Sequence, residues 1–364
     1  MTNTKSLPEI YPLTGVRALA ALWVLLFHLH EKLDSAFPGF RFLFDPVILH
    51  GYLGVDLFFI LSGFIISYNY AQRFSVFRIS TYLEFLWMRF ARLWPVHFVI
   101  LTMYAALLLG GNHFGISSKH SYLYSWGGLL QNLILIQAWS IPIYESWNVP
   151  AWSISCEWIA YIFFPVLIIL SKAVTRSVLL FIVTGASALL IMALLLQNMH
   201  DDGANRYGII RIAGEFVTGV CLCNLFHARA GLNWNWNIII SISLVVSILF
   251  LGFLLPLCSL VAYWCVPFLA IMILGLAYRR CVYSRLLSTK LFLFGGHISY
   301  SLYMVHSISY IVLNHLFPKL EARPMSFMVD LTFCVVAATV MFYFVEDPCR
   351  KKMRKLYPRR KQQP

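Results

Sequence analysis

Charge is what this sequence has least of. Only 12% of its 364 residues are Asp, Glu, Lys or Arg, about half the share of an ordinary soluble domain. Acidic groups are the scarcer kind: 15 Asp and Glu stand against 28 Lys and Arg, a net charge of +13. No long polar block interrupts the chain, which excludes a soluble domain carried on one anchor. No Cys or His pair has metal-ligand spacing, and neither "SWGG" nor "LSGF" lies in the strand-to-helix setting of a nucleophile elbow. A small-residue cleavage site is missing behind the first apolar run. That run is therefore expected to remain as a helix rather than leave as a signal peptide. Internal repeats are missing too, which weakens a reading as a transporter or flippase that uses intramembrane charges as a substrate or proton path.

What is present is apolar: 60% of the residues, with a mean hydropathy of +0.74. Apolar runs recur from residue 18 to residue 345. In hydrocarbon every backbone polar group must be satisfied within the segment, so the chain reads as an all-α polytopic membrane bundle. Ten spans are expected, near 14–33, 52–72, 93–111, 150–171, 178–197, 209–226, 236–255, 259–278, 291–313 and 326–346. The run 126–139 is too short to cross and reads as interfacial or re-entrant. With both termini cytoplasmic, this choice leaves twenty Lys and Arg inside and six outside, a strong positive-inside bias. Eight of the twenty lie in the tail "RKKMRKLYPRRKQQP". The basic surplus thus sets topology and meets anionic headgroups; nucleic acid is not expected as a partner. A membrane domain 1–348 and a basic cytoplasmic tail 349–364 follow, with no appended soluble domain expected. The cysteines (Cys156, Cys221, Cys223, Cys258, Cys265, Cys281, Cys334 and Cys349) read as small buried residues, not metal ligands.

Ionisable groups inside spans are costly, about 2.5–3.5 kcal/mol each on insertion scales, so each is a candidate for function. Arg17 and His28 lie 11 residues apart in the first span. At about 100° per residue they share one helix face, separated by roughly 16 Å along it. His30 is turned away. Asp56 opens the second span and Glu157 the fourth, both expected at the level of His28, where a carboxylate would orient the imidazole. At the cytoplasmic end, Arg89 and Arg92 form an i, i+3 pair followed by Pro95. Two neighbouring guanidiniums repel unless an anion lies between them, and phosphate fits their fork. Plainer readings exist for each: a snorkelling anchor for Arg17, an interhelical hydrogen bond for His28, headgroup contacts for the arginine pair. Arg211 and Glu215, at i, i+4, read as a structural ion pair. Tyr303 and His306 either line a cavity or join helices. His97 reads as interfacial, Ser62 as close packing beside Gly63, and "VEDPCRKKMRK" as the end of a span with a basic anchor. A basic group facing the cytoplasm and an acid/base group deeper in would suit a long, phosphate-bearing molecule bound at one end and reacting at the other.

These residues together resemble the membrane acyltransferase-3 family. Arg17-x10-His28, "GVDLFFILSGF", the RxxR of Arg89 and Arg92 with "LWP" behind it, "AWSISCEW" and "ISYSLYMVH" carry the likeness, over about residues 13 to 348. The family's usual "WSLSVE" reads "WSISCE" here, which keeps Glu157. The resemblance implies a ten-helix O-acyltransferase core, here standing without the SGNH-type domain of some relatives. It implies acyl-CoA as a cytoplasmic donor substrate, acetyl-CoA first and succinyl or longer chains as alternatives, with no permanently bound cofactor. His28 becomes the essential histidine, with roles for Glu157 and for Arg17, Arg89 and Arg92 as donor-binding groups; from its own position Asp56, or else Glu157, is expected to steady the imidazole. The histidine either deprotonates the acceptor or carries the acyl group as an acyl-imidazole. The implied acceptor is a hydroxyl of a carbohydrate or glycolipid, the implied setting a bacterial inner membrane, with proteins of polysaccharide synthesis as partners.

Overall fold

Among the described residues a helix overlies each of the ten apolar runs marked out in the sequence. The computed structural model describes residues 7–39, 41–113, 123–140, 146–174, 178–197, 207–254, 263–321 and 325–357. Cys258, Lys5, Lys119, Arg176, Arg206, Arg323 and the last seven residues lie outside the described residues, as does the start of the span placed at 259. The helices are α1 (Tyr11–His28), α2 (Leu53–Tyr70), α3 (Ile79–His113), α4 (Trp152–Val174), α5 (Val178–Gln197), α6 (Gly208–His227), α7 (Trp236–Leu249), α8 (Val266–Ala277), α9 (Lys290–Leu316) and α10 (Ser326–Met341). There is no strand among the described residues. Six helical segments among them are long and apolar enough to cross a membrane: Tyr11–His28, Leu53–Phe74, Ile79–Gly110, Val149–Ser171, Gly208–His227 and Ser326–Leu356. The chain is a multi-pass helical membrane protein.

The burial pattern is the reverse of a soluble protein's. Ile182, Ile191 and Leu195 on α5, Ile238, Ile242 and Val245 on α7, and Val336 and Val340 on α10 point outward. Asp56, Arg211, Glu215, His97, Ser299, Ser301 and Glu346 are buried. Lipid solvates the first set without cost, whereas polar groups need partners inside the bundle.

α1 stands between two apolar cores. Val24 and Leu25 pack into one with parts of α3, α4, α9 and α10. Leu13, Val16 and Ala20 pack into the other with parts of α2, α6, α7 and α8. Small residues let the central helices approach. A Cβ on Gly63 of α2 would collide with the Phe216 carbonyl, and one on Gly219 of α6 with the Ile60 carbonyl. Ser62 is therefore at a close crossing, as its neighbour Gly63 suggested. Gly219→Val forces this crossing apart, an overpacking cost of about 1–3 kcal/mol. A lower thermal-unfolding midpoint in detergent is the expected result; an unchanged midpoint would show that the crossing is soft.

Two boundaries differ from the sequence expectation. α3 begins at Ile79, well before residue 93, so Arg89 and Arg92 lie within a 35-residue helix that runs through Pro95. Run 126–139 is a short helix, Trp126–Leu133, followed by turns, in keeping with a segment that does not cross. The end of the last span is not a simple anchor. α10 passes through a π-helical turn, Phe342–Glu346, into the helix Asp347–Leu356. That helix docks on α3: Trp87 Nε1 donates to the Met353 carbonyl at 2.7 Å, and Tyr357 Oη to the Ser80 carbonyl at 3.2 Å.

Candidate active site

His28 is the last residue of α1, and the helix ends there. Its Nδ1 lies 2.8 Å from the Val24 carbonyl. A carbonyl oxygen only accepts, so Nδ1 carries the hydrogen and Nε2 keeps its lone pair. The ring stays exposed although Phe27 and His306 flank it, at ring-centroid distances of 5.0 and 4.6 Å. An accessible imidazole with a bare Nε2 can accept a proton or attack an acyl carbon. The helix is interrupted at Leu29, and His30 begins a new short helix with its ring stacked on Phe27.

Arg17, three turns back on α1, is half-buried. Its electrostatic neighbours are Arg92, Glu346, Glu157 and Tyr161. Arg92 is ion-paired with Glu346 and lies over the Tyr300 ring at 5.4 Å. The second Glu346 oxygen accepts from Ser301 at 2.6 Å. Arg89 donates to Tyr70 Oη at 2.9 Å and lies over that ring, with its Nε buried and without a partner among the described residues. Tyr161 donates to Glu157 at 2.9 Å and meets Ser62 at 3.2 Å. Arg354, from the docked helix, has Arg89, Arg92 and Tyr70 as neighbours. Several guanidiniums thus converge where α1, α3, α4, α9 and the end of α10 meet, with two carboxylates among them.

This arrangement corrects the expected company of His28. Glu157 was expected beside the imidazole; it is one turn from Tyr161, within reach of Arg17 and Arg92. The reason is pairing: the carboxylate lies with the Tyr161 hydroxyl and the Arg17 and Arg92 guanidiniums, which offset the cost of burying it. Asp56 was expected there too. Instead it is fully buried and held by Arg211, Nε to Oδ1 at 3.1 Å and Nη2 to Oδ2 at 2.7 Å. The Arg211 guanidinium also stacks between Trp152 and Tyr263, 5.2 and 5.4 Å from their rings. The expected Arg211–Glu215 ion pair is therefore replaced by Arg211–Asp56, because the bidentate fork of α6 meets α2 rather than its own next turn. Glu215 is buried, and its oxygens accept no hydrogen bond among the described residues. Among those residues no hydrogen bond or ion pair joins His28 to a carboxylate.

Other expectations shift as well. His97, read as interfacial, is fully buried within the bundle, with Nε2 2.9 Å from the Asn132 carbonyl. Tyr303 Oη donates to the Pro150 carbonyl and accepts from Ser153, both at 3.0 Å, tying α9 to the start of α4. The described cysteines are free, and all but Cys349 are buried. No group of three His, Cys, Asp or Glu suited to a metal exists among the described residues. Glu346 and Arg354 were missed from sequence. Glu346 looked like the end of a span; only its place in "VED" beside a basic helix hinted at more.

Comparison with known proteins gives a family match over most of the chain. A family model described as an acyltransferase domain, that of acyltransferase-3, matches residues 10–346. The chain is 24% identical to the O-acetyltransferase OatA of Staphylococcus aureus strain MRSA252, over 98% of this chain and 60% of that protein. It is 23% identical to the putative O-acetyltransferase SACOL0978 of Staphylococcus aureus strain COL, over 96% of this chain and 59% of that one. The acyltransferase MdmB of Streptomyces mycarofaciens is 30% identical over 42% of this chain and 38% of its own length. The chain thus spans at most about 60% of the length of these relatives. No solved structure matches it.

Proposed function

The chain belongs to the acyltransferase-3 family of membrane acyltransferases, and from that premise we propose that it moves an acyl group, acetyl first, from cytoplasmic acyl-CoA to a hydroxyl of a carbohydrate or glycolipid acceptor. The observation that carries the reading is α1 itself. One helix holds an arginine within a guanidinium cluster and, three turns on, an accessible imidazole with a bare Nε2. The separation, roughly 16 Å along the helix, suits a donor whose phosphates and thioester lie far apart. Family membership favours this over the transport reading. Ten spans, both termini in the cytoplasm and a bacterial inner membrane complete the proposal.

In this scheme Arg89, Arg92, Arg354 and Arg17 receive the donor's phosphates and pantetheine arm. Glu157 and Tyr161 hold Arg17 in place, and Glu346 occupies Arg92 until the donor arrives. His28 Nε2 takes the proton of the acceptor hydroxyl as its oxygen attacks the thioester carbon. The carbon–oxygen bond forms, the carbon–sulfur bond breaks, and the proton passes to the departing thiolate. Positioned general-base help of this kind contributes roughly 10²–10⁴-fold.

The test is acyl transfer by purified protein in liposomes, with radiolabelled acetyl-CoA on the cytoplasmic face and a panel of glycans as acceptors. Label on a glycan supports the reading. No transfer from any short acyl-CoA by folded protein removes it and returns weight to transport. Within it, Arg89→Ala is expected to raise the KM for acyl-CoA about 10- to 100-fold, the worth of a charge-assisted hydrogen bond, with kcat near wild type. A fall in kcat at unchanged KM would place Arg89 in the chemistry instead.

A further inference from the structure

His306 stands outside every role assigned so far. It lies on α9, is buried, and its ring is 4.6 Å from that of His28, centroid to centroid. Its Nδ1 is 2.6 Å from the Tyr303 carbonyl. As with His28, the carbonyl must accept, so Nδ1 carries the hydrogen and Nε2 the lone pair. That Nε2 is buried with no hydrogen-bond partner among the described residues. A buried polar atom left unpaired costs about 1–3 kcal/mol, and this one belongs to the ring packed against the candidate catalytic imidazole. Two bare Nε2 atoms on touching rings cannot bond to each other, but with one proton between them they can.

We propose that His306 is the positioning partner of His28, the two imidazoles sharing one proton during acyl transfer; this rests on the acyltransferase reading above. When His28 Nε2 takes the acceptor's proton, His306 Nε2 accepts a hydrogen bond from the new N–H. The imidazolium thus gains, inside the bundle, the partner that a carboxylate supplies elsewhere, and neither Asp56 nor Glu157 is placed to do this. The shared proton lies between the two Nε2 atoms until the departing thiolate takes it from His28, so atoms and charge balance as before. Tyr303, one turn earlier, ties this stretch of α9 to Pro150 and Ser153 and fixes the height of His306. Close packing at the other end of α9 sets its register on α1, for a Cβ on Gly296 would strike the Thr14 carbonyl.

The experiment compares wild type, His306→Leu, His306→Gln and His28→Ala in the transfer assay, alongside ¹⁵N-histidine NMR of the same proteins in nanodiscs. His306→Leu keeps the volume but loses the acceptor; His306→Gln puts an amide oxygen near the position of Nε2. Expected are a kcat lower by the order of 10²-fold in the leucine variant, the lower end for positioned proton-transfer groups, with KM for acyl-CoA unchanged, and recovery of most of it in the glutamine variant. In the spectra, both rings are expected to carry hydrogen on Nδ1 and to take up one proton between them, and the His28 signal to titrate alone in His306→Leu. Other titratable groups beside the pair are His30 just beyond α1 and Tyr303 on α9, while Asp330, Lys32 and Cys334 form a separate group that meets α9 at Ser309; a His30→Gln background removes the other neighbouring imidazole. Unchanged kcat in His306→Leu, equal losses in both variants, or independent titration of the two rings overturns the proposal. If wild type transfers nothing, or His28→Ala is as active as wild type, the acyltransferase mechanism falls, and the spectra still decide whether the rings share a proton.

Discussion

His28→Ala is expected to lower acyl transfer by roughly 10²–10⁴-fold while leaving the protein folded. Both halves of that expectation come from the same geometry. His28 supplies one bare Nε2 at the end of α1. Because the ring is exposed and bonds only its own helix, at Val24, its removal opens no large cavity in either apolar core. The check is transfer of label from acetyl-CoA at equal amounts of reconstituted protein, with thermal unfolding run beside it. Normal turnover in the variant would falsify the mechanism. Lost turnover with a collapsed melting curve would instead make His28 a packing residue.

The second large effect concerns stability. Arg211→Ala strips the partner from a fully buried Asp56 and leaves a carboxylate among Trp152, Tyr263 and Glu215. Breaking one side of a buried pair costs about 3–5 kcal/mol, so the variant is expected to accumulate poorly or melt early in detergent. Replacing both sides removes the orphaned charge. The double variant Asp56→Leu with Arg211→Leu is therefore expected to regain much of the lost stability. It also decides the role of Asp56. Activity recovered with the fold assigns Asp56 to the α2–α6 contact; a folded but inactive double variant would return it to the catalytic group. A single variant as stable as wild type would show that the pair contributes nothing net.

The α1 geometry was legible in the sequence because it is local. Arg17 and His28 share a face through the helical repeat alone, and the same holds for Arg89 and Arg92 at i, i+3. Depth was only half legible. Glu157 and Asp56 begin their helices on the same side as His28 ends its own, yet neither meets it. Equal depth says nothing about the direction a side chain takes around the helix axis.

The sequence by itself determined that this is an all-helical, multi-pass membrane protein, and it carried the motifs by which it resembles its family. Those properties follow from hydropathy, from charge asymmetry and from the need of every backbone group for an internal partner in lipid. Only the tertiary structure decided the pairings: Arg92 with Glu346 across 254 residues, Asp56 with Arg211 across 155, His28 against His306. Helices in lipid gain little from hydrophobic contrast with one another, so their rotation and register depend on close small-residue crossings such as Gly63–Gly219 and on the few polar groups that find partners there. Neither is written in the periodicity of any one helix.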